Sequence, residues 1–303
     1  MKTLEVGNAV TLEARAVELK KILFATDFSS YSNAALPYAV ALARQYGAKL
    51  YGAHVVSTDA YMFATPETWP ALAECQDERQ HAACARLEGS LRGTPHQVVS
   101  AVGDIADVIF RLVHDNDIDL IVLGTHGRSG LPKLFMGSVA EKIFRQASCP
   151  VLTVGPNVCP KQKSALEVHR IVFATDFSDE SMAAAPYAFS LAQKHNSHLT
   201  LLHVLEHPQG ATVDFEPNVD FAIRRMQELI LGDSDVWFRS DCAVEFGHPE
   251  DEIARFAQEH AADLIVLGIR APRGPLTTVT HLAHSKAQYI VAHATCPVLT
   301  VRG

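Results

Sequence analysis

Along the chain, short apolar runs alternate with longer stretches in which apolar residues recur every three or four positions. KILFAT (21–26), AKLYGAHVV (48–56), HQVVSAV (96–102), DLIVLG (119–124) and PVLTV (150–154) are rich in β-branched residues, which predicts strands. Between them, Ser30 to Tyr46 and Asp104 to Asn116 place apolar residues at i, i+3 and i+4, the stripe of an amphipathic helix, and Glu74 to Leu91 reads similarly. Strands and helices in strict alternation imply right-handed crossovers and a parallel sheet with helices on both faces.

The series then repeats. FATDFS at 24–29 returns residue for residue at 173–178, DLIVLG at 119–124 returns at 263–268, and ASCPVLTV at 147–154 returns as ATCPVLTV at 294–301. Order is kept while the offset changes from 149 to 144 to 147, so small insertions and deletions fall in the intervening loops. The second copy runs IVFAT, SHLTLLHV, SDCAVEF, DLIVLG and PVLTV, with helices expected near 179–195, 217–231, 249–260 and 284–294. A chain of 303 residues suits two domains of ~150 residues each. The expected fold is α/β, two tandem Rossmann-like domains, each a five-stranded parallel sheet between helices. Residues 1–155 form the first, 169–303 the second. Residues 156–168 match nothing in the repeat and read as the linker.

Composition narrows the classes of function. With 48% apolar and 20% charged residues the chain reads as globular. A net charge of -8 without a clustered basic stripe argues against nucleic acid as a partner. No apolar run approaches the ~18 residues of a membrane span, and the acidic residues Glu5, Glu13 and Glu18 replace the apolar core of a secretory signal. A cytoplasmic protein away from membranes is expected. The six cysteines form no C-x-x-C pair and the fifteen histidines no H-E-x-x-H, so no metal centre is expected.

The candidate chemistry lies in GTHGRSGLPKLFMGS (124–138), between the fourth strand and the next helix. In a doubly wound sheet, ligands settle at the carboxyl ends of the strands beside the point where strand order reverses. Asp27 ends the first strand there and Gly124 ends the fourth. A carboxylate suits ribose hydroxyls, glycines let backbone N–H groups approach phosphates, and a helix starting at Ser138 offers unpaired amides to an anion. The plainer alternative is that glycines also end strands, and that Ser138 with Glu141 spells a capping box serving any helix. Neither G-x-x-x-x-G-K-[ST] nor G-x-G-x-x-G is present.

The whole arrangement, G-x2-G-x9-G-S at Gly124, Gly127, Gly137 and Ser138, with the ATDFS opening, the HV ending the second strand and the CPVLTV close, resembles the universal stress protein family. The likeness spans nearly the whole chain, twice, and implies a tandem member with an adenine nucleotide alpha hydrolase-like fold. Members with this motif bind ATP, so the resemblance implies ATP as cofactor, alone or with Mg2+. By it, Asp27 meets the ribose, the Val55 backbone reads the adenine edge, and Gly124 and Gly127 lie along the ribose and phosphates. Gly137, Ser138 and Val139 close on the phosphates. His126 and Arg128 sit at positions the motif leaves open; Arg128 reads equally as a phosphate contact or a solvated loop charge.

The second copy departs from the motif. Aligning SVAEKIFRQASCP with SKAQYIVAHATCP puts His284 where Gly137 stands, and Ala271 replaces Gly127. Pro272 and Pro275 remove N–H donors from a loop three residues longer. Asp176, Val204 and Gly268 remain. Nucleotide is therefore expected mainly in the first domain.

Three classes of function follow: an ATP-binding regulatory protein read by protein partners, an ATP-using enzyme such as a slow ATPase with His126 as its one candidate base, or a nucleotide-free dimerisation scaffold. The first is favoured. The edge strands Val151 to Val154 and Val298 to Val301 are expected to pair within the chain, with a further homodimer open to other surfaces. Ser57 to Ala73, with Tyr61, Met62, Phe63 and Trp69, is expected as a long loop over the adenine side.

Overall fold

A computed structural model describes residues 17–58, 69–125, 136–159, 167–206, 216–231, 238–270 and 286–303. The first half runs β1 (Lys21–Ala25), α1 (Ser30–Tyr46), β2 (Lys49–Val56), α2 (Trp69–Ser90), β3 (His96–Val102), α3 (Ile105–Asn116), β4 (Leu120–Gly124), α4 (Ser138–Gln146) and β5 (Val151–Val154). The second runs β6 (Arg170–Ala174), α5 (Asp179–His195), β7 (His198–Leu205), α6 (Glu216–Leu231), β8 (Arg239–Phe246), α7 (Pro249–Glu259), β9 (Leu264–Ile269), α8 (Lys286–His293) and β10 (Val298–Arg302). The α/β alternation is as the apolar pattern predicts. One boundary differs: α2 begins at Trp69, so the expected loop ending at Ala73 is shorter, and its residues 59–68 lie outside those described.

Local chemistry sets the helix ends. Ser29 caps α1 by accepting from the Ser32 amide, Ser178 does the same for α5 from Ser181, and Asp104 caps α3 from Asp107. Gly47 closes α1 in the left-handed region at φ 65, sending its N–H to the Ala43 and Arg44 carbonyls.

All ten strands form one sheet in the order β3-β2-β1-β4-β5-β10-β9-β6-β7-β8. Pairing is parallel within each half, and β5 meets β10 antiparallel, with Val298 opposite Thr153, Leu299 opposite Leu152 and Thr300 opposite Val151. Exchanging the two halves leaves this register unchanged, so an approximate twofold axis passes between Leu152 and Leu299. The edge each half would otherwise expose is covered by the other.

Burial joins the halves most extensively on one face. Beneath α1 and α5 a single apolar core runs from Ile22 and Leu50 through Leu152 and Leu299 to Phe173 and Leu201. On the opposite face there are two cores, one under α3 and α4 and the other under α7 and α8, and the second takes in Phe144 of α4, while Met136 packs against both. Arg302 crosses there, its guanidinium donating to the Phe144 carbonyl at 3.2 Å.

Candidate functional site

In the first half β1 lies between β2 and β4, so chain order reverses beside it and a crevice opens beyond the carboxyl ends of β1 and β4. Asp27 follows β1 and Gly124 ends β4, which brings these two expected residues to one place.

The turn carrying Asp27 is built with care. The buried Thr26 hydroxyl accepts from the Phe28 amide at 2.9 Å and donates to Ser32 Oγ at 3.0 Å. Asp27 Oδ1 accepts from the Ser29 amide at 3.0 Å. Phe28 sits at φ 62, a conformation that costs a bulky residue about 1–2 kcal/mol. Two groups pack on its ring: the His54 ring lies 4.8 Å away and the Arg86 guanidinium 4.4 Å from its centroid. His54 Nδ1 donates to the Thr26 carbonyl at 2.8 Å, tying β2 to the turn. Burial works to raise the Asp27 pKa, but hydrogen bonds from the Ser29 hydroxyl and amide and the Ser32 hydroxyl outweigh it and hold the carboxyl below the ordinary aspartate value. The result is a firmly anionic group fixed at the strand tip.

Thr26, Phe28 and His54 stand in the ATDFS and HV motifs, where the sequence assigns them no role, and Ser32 and Arg86 are not singled out by it. An acceptor needs one aspartate, yet the whole FATDFS sextet returns, and the structure shows why. Phe177 repeats the strained φ at 61, packs against the tilted ring of His203 at 4.8 Å, and meets Arg225 at 5.9 Å, while His203 Nδ1 donates to the Thr175 carbonyl at 2.8 Å.

Val55 owes its position to strand alternation. The Ala53 carbonyl accepts from the Thr26 amide, so Ala53 directs its polar groups toward β1; two residues on, Val55 directs its own the same way, past the end of β1. Val56 instead faces β3 and accepts from Gly103. Val204 repeats this geometry, since the Leu202 carbonyl accepts from Thr175.

Gly124 has a packing role that the motif does not reveal. A Cβ there would lie 2.6 Å from the Tyr31 carbonyl oxygen and 2.9 Å from the Ser32 amide nitrogen, so the bare Cα lets the first turn of α1 close on β4. At Gly268 the corresponding Cβ would lie 2.1 Å from the Glu180 carbonyl oxygen. The survival of Gly268 in the second half thus follows from helix packing and needs no ligand.

At the far end of the loop, α4 begins at Ser138 as expected, but its N-cap is Gly137 and no side chain caps it. This corrects the capping-box reading: Ser138 is the first helical residue, one position too late for its hydroxyl to act as the N-cap. The Gly137 amide donates to the Thr125 carbonyl at 2.8 Å, which fastens the two ends of the loop together and sets the first turn of α4, with Ser138 and Val139, beside the end of β4. His126, Gly127 and Arg128 lie outside the described residues, as do Ala271, Pro272, Pro275 and His284.

The second half carries two ion pairs after β9 and at the start of α8. Arg270, just after β9, donates to Glu180 Oε1 at 2.8 Å. Lys286, opening α8 where Val139 stands in the first half, pairs with Glu206 beyond β7. Asp176 is anionic like Asp27: burial works to raise its pKa, and the Ser178 hydroxyl and amide prevail and lower it.

Comparison with known proteins agrees with this architecture. The sequence profile of the universal stress protein family matches residues 18–155 and again 167–302. A universal stress protein of Mycobacterium tuberculosis is 26% identical over 294 residues, covering 93% of this chain and 96% of the relative. The crystal structure of a universal stress protein from Archaeoglobus fulgidus superposes with a TM-score of 0.70 at 20% identity, covering 93% of this chain and 98% of that one. A universal stress protein solved in complex with cAMP covers 45% of this chain, with a TM-score of 0.35 and 22% identity. Among the described residues no helix is long and apolar enough to cross a membrane.

Proposed function

The chain belongs to the universal stress protein family, and from that premise we propose that it is a regulatory protein whose amino-terminal half binds one adenine nucleotide, ATP, while its carboxyl-terminal half does not. The observation that carries this reading is the junction of β4 and α4. There Gly137, tied to Thr125, starts a helix whose first amides have no side-chain cap, beside the strand tip that fixes the Asp27 carboxylate. Backbone amides and the positive end of a helix dipole suit phosphate, and an anionic aspartate suits ribose hydroxyls. The Val55 backbone, turned past the end of β1, supplies hydrogen-bonding groups for a purine edge.

The second half keeps the aspartate turn, while His284 replaces Gly137 in its sequence and Arg270 and Lys286 pair with Glu180 and Glu206 after β9 and at the start of α8. Regulation follows by population shift: ATP that binds one conformation of the protein better than others favours the surface that conformation offers to protein partners. His126, Gly127 and Arg128 are proposed as contacts of the same nucleotide.

Equilibrium binding of ATP, with and without Mg2+, tests the proposal. One site per chain is expected, weakened at least about tenfold by Asp27→Ala, the loss of a charge-assisted hydrogen bond of about 1.5–3 kcal/mol, and abolished by Gly137→His. Absence of binding at millimolar ATP overturns the proposal in favour of a nucleotide-free scaffold; two equivalent sites overturn the asymmetry.

A further inference from the structure

Gly52 sets the height of α2 on the sheet. A Cβ there would meet Leu91 Cδ1 at 2.7 Å and Leu87 Cδ2 at 3.3 Å, so the carboxyl end of α2 packs against the middle of β2. The buried stripe runs from Leu91 through Leu87 to Ala83 and stops. Gly52 to Val56 climbs about 13 Å, which a helix lying along the strand covers in about nine residues, from Leu91 to Ala82. Residues 74–82 accordingly include no buried position. α2 runs back from the carboxyl end of β2 toward the start of β3, so this stretch overhangs the strand tips at the level where the first crevice opens.

Arg86 marks the side of α2 that faces the Asp27 turn, since its guanidinium lies 4.4 Å from the centroid of the Phe28 ring. Arg79 stands seven residues earlier. Seven residues turn a helix to within about 20° of two full turns and advance it about 10 Å, so Arg79 lies on the same side, further out from the sheet. It is exposed, and its neighbours three and four residues away are Cys75, Gln76, Ala82 and Ala83, so no carboxylate at helical spacing pairs with it. The second half has no counterpart. Arg225, which meets Phe177, aligns with Arg86, and Ala222 and Met226 align with Ala83 and Leu87, which puts Asn218 where Arg79 stands. On that alignment α6 also begins eight residues later than α2, leaving its overhang about 12 Å shorter.

We propose that Arg79 stacks its guanidinium on the purine of the nucleotide held by the first half, with the overhang of α2 as the wall of that end of the crevice. This rests on the function proposed above and adds to it a side chain that grips the base. The base end is the one within reach: α2 packs on β2 and β3, whereas α4 follows β4 on the other side of β1. The height also fits, because about 10 Å between the levels of Arg79 and Arg86 leaves room for a flat ring with about 3.5 Å of contact distance on each side. A planar guanidinium suits an aromatic face, as Arg86 on Phe28 already illustrates.

Calorimetric titration of the full chain with ATP, at about 0.05 M and about 1 M salt, tests the contact in wild type and in Arg79→Asn, which installs the residue of the second half. The variant should bind ATP about three- to tenfold more weakly, the worth of one cation–π contact. That ratio should hold at both salt concentrations, since the purine carries no net charge to be screened. The thermal midpoint without nucleotide should not move, because Arg79 is exposed and lies past the packed part of α2. A loss present at low salt and gone at high salt would place Arg79 on the phosphates and overturn the assignment. Wild-type binding that Arg79→Asn leaves unchanged overturns this inference alone; no ATP binding by wild type overturns the proposed function and this inference with it.

Discussion

Alanine at Gly124 and at Gly268 separates packing from ligand binding at the tips of β4 and β9. At Gly124 a Cβ would sit 2.6 Å from the Tyr31 carbonyl oxygen, so the first turn of α1 must retreat by about 0.4 Å to reach even a 3.0 Å contact; at Gly268 the gap is 2.1 Å and the retreat of α5 about 0.9 Å. Overpacking of this kind costs about 1–3 kcal/mol, against which alanine recovers about 0.4–1 kcal/mol by restricting the unfolded chain. The obstructing atoms are backbone, which no rotamer change can move aside, so the clash wins at both positions. Net losses of about 1 kcal/mol for Gly124→Ala and about 2 kcal/mol for Gly268→Ala follow. At ~2–4 °C per kcal/mol for units of this size, these are drops of ~2–4 °C and ~4–8 °C. Urea and thermal unfolding followed by circular dichroism, both without nucleotide, measure them. A Gly268→Ala protein within about 0.5 kcal/mol of wild type, or a larger loss at Gly124 than at Gly268, would refute the packing account and return both glycines to ligand approach.

Further outcomes follow from the same structure. Burial, with a smaller contribution from neighbouring Lys194, lowers the His195 pKa from 6.5 to about 4. The unfolded chain therefore binds the proton more readily, and stability is full above about pH 6.5 and falls as pH drops toward 4. Linkage limits the loss to about 3 kcal/mol, and partial solvent access at the ring reduces it to about 1–2 kcal/mol; His195→Phe should flatten unfolding free energy against pH across that window. Ser29→Ala removes the α1 cap and a donor to Asp27, so a loss of about 1 kcal/mol and a rise in the Asp27 pKa toward the usual aspartate value are expected, read by carboxyl-carbon NMR titration. Leu299→Ala empties a buried position at the strand junction and should cost about 2–5 kcal/mol. Because one core spans both halves, the variant should lower the midpoint of the entire protein, and two separated transitions with one unchanged would contradict the shared core.

The amino-acid sequence by itself determined the strands, the helices, the duplication, and the meeting of Asp27 with Gly124 at one crevice. These depend on apolar spacing and on connection rules that act between neighbouring segments. It also marked Val151 to Val154 and Val298 to Val301 as edges ready to pair. Tertiary structure decided the rest, since each remaining point turns on which distant atoms come within a few ångströms. The helix capped by Gly137 instead of Ser138, the left-handed Phe28 packed against His54 and Arg86, and the approach of α1 that forbids a Cβ at Gly124 are such points. So is the meeting of Tyr46 with His195, 149 positions apart in sequence and joined only because β5 and β10 fold two copies around one axis.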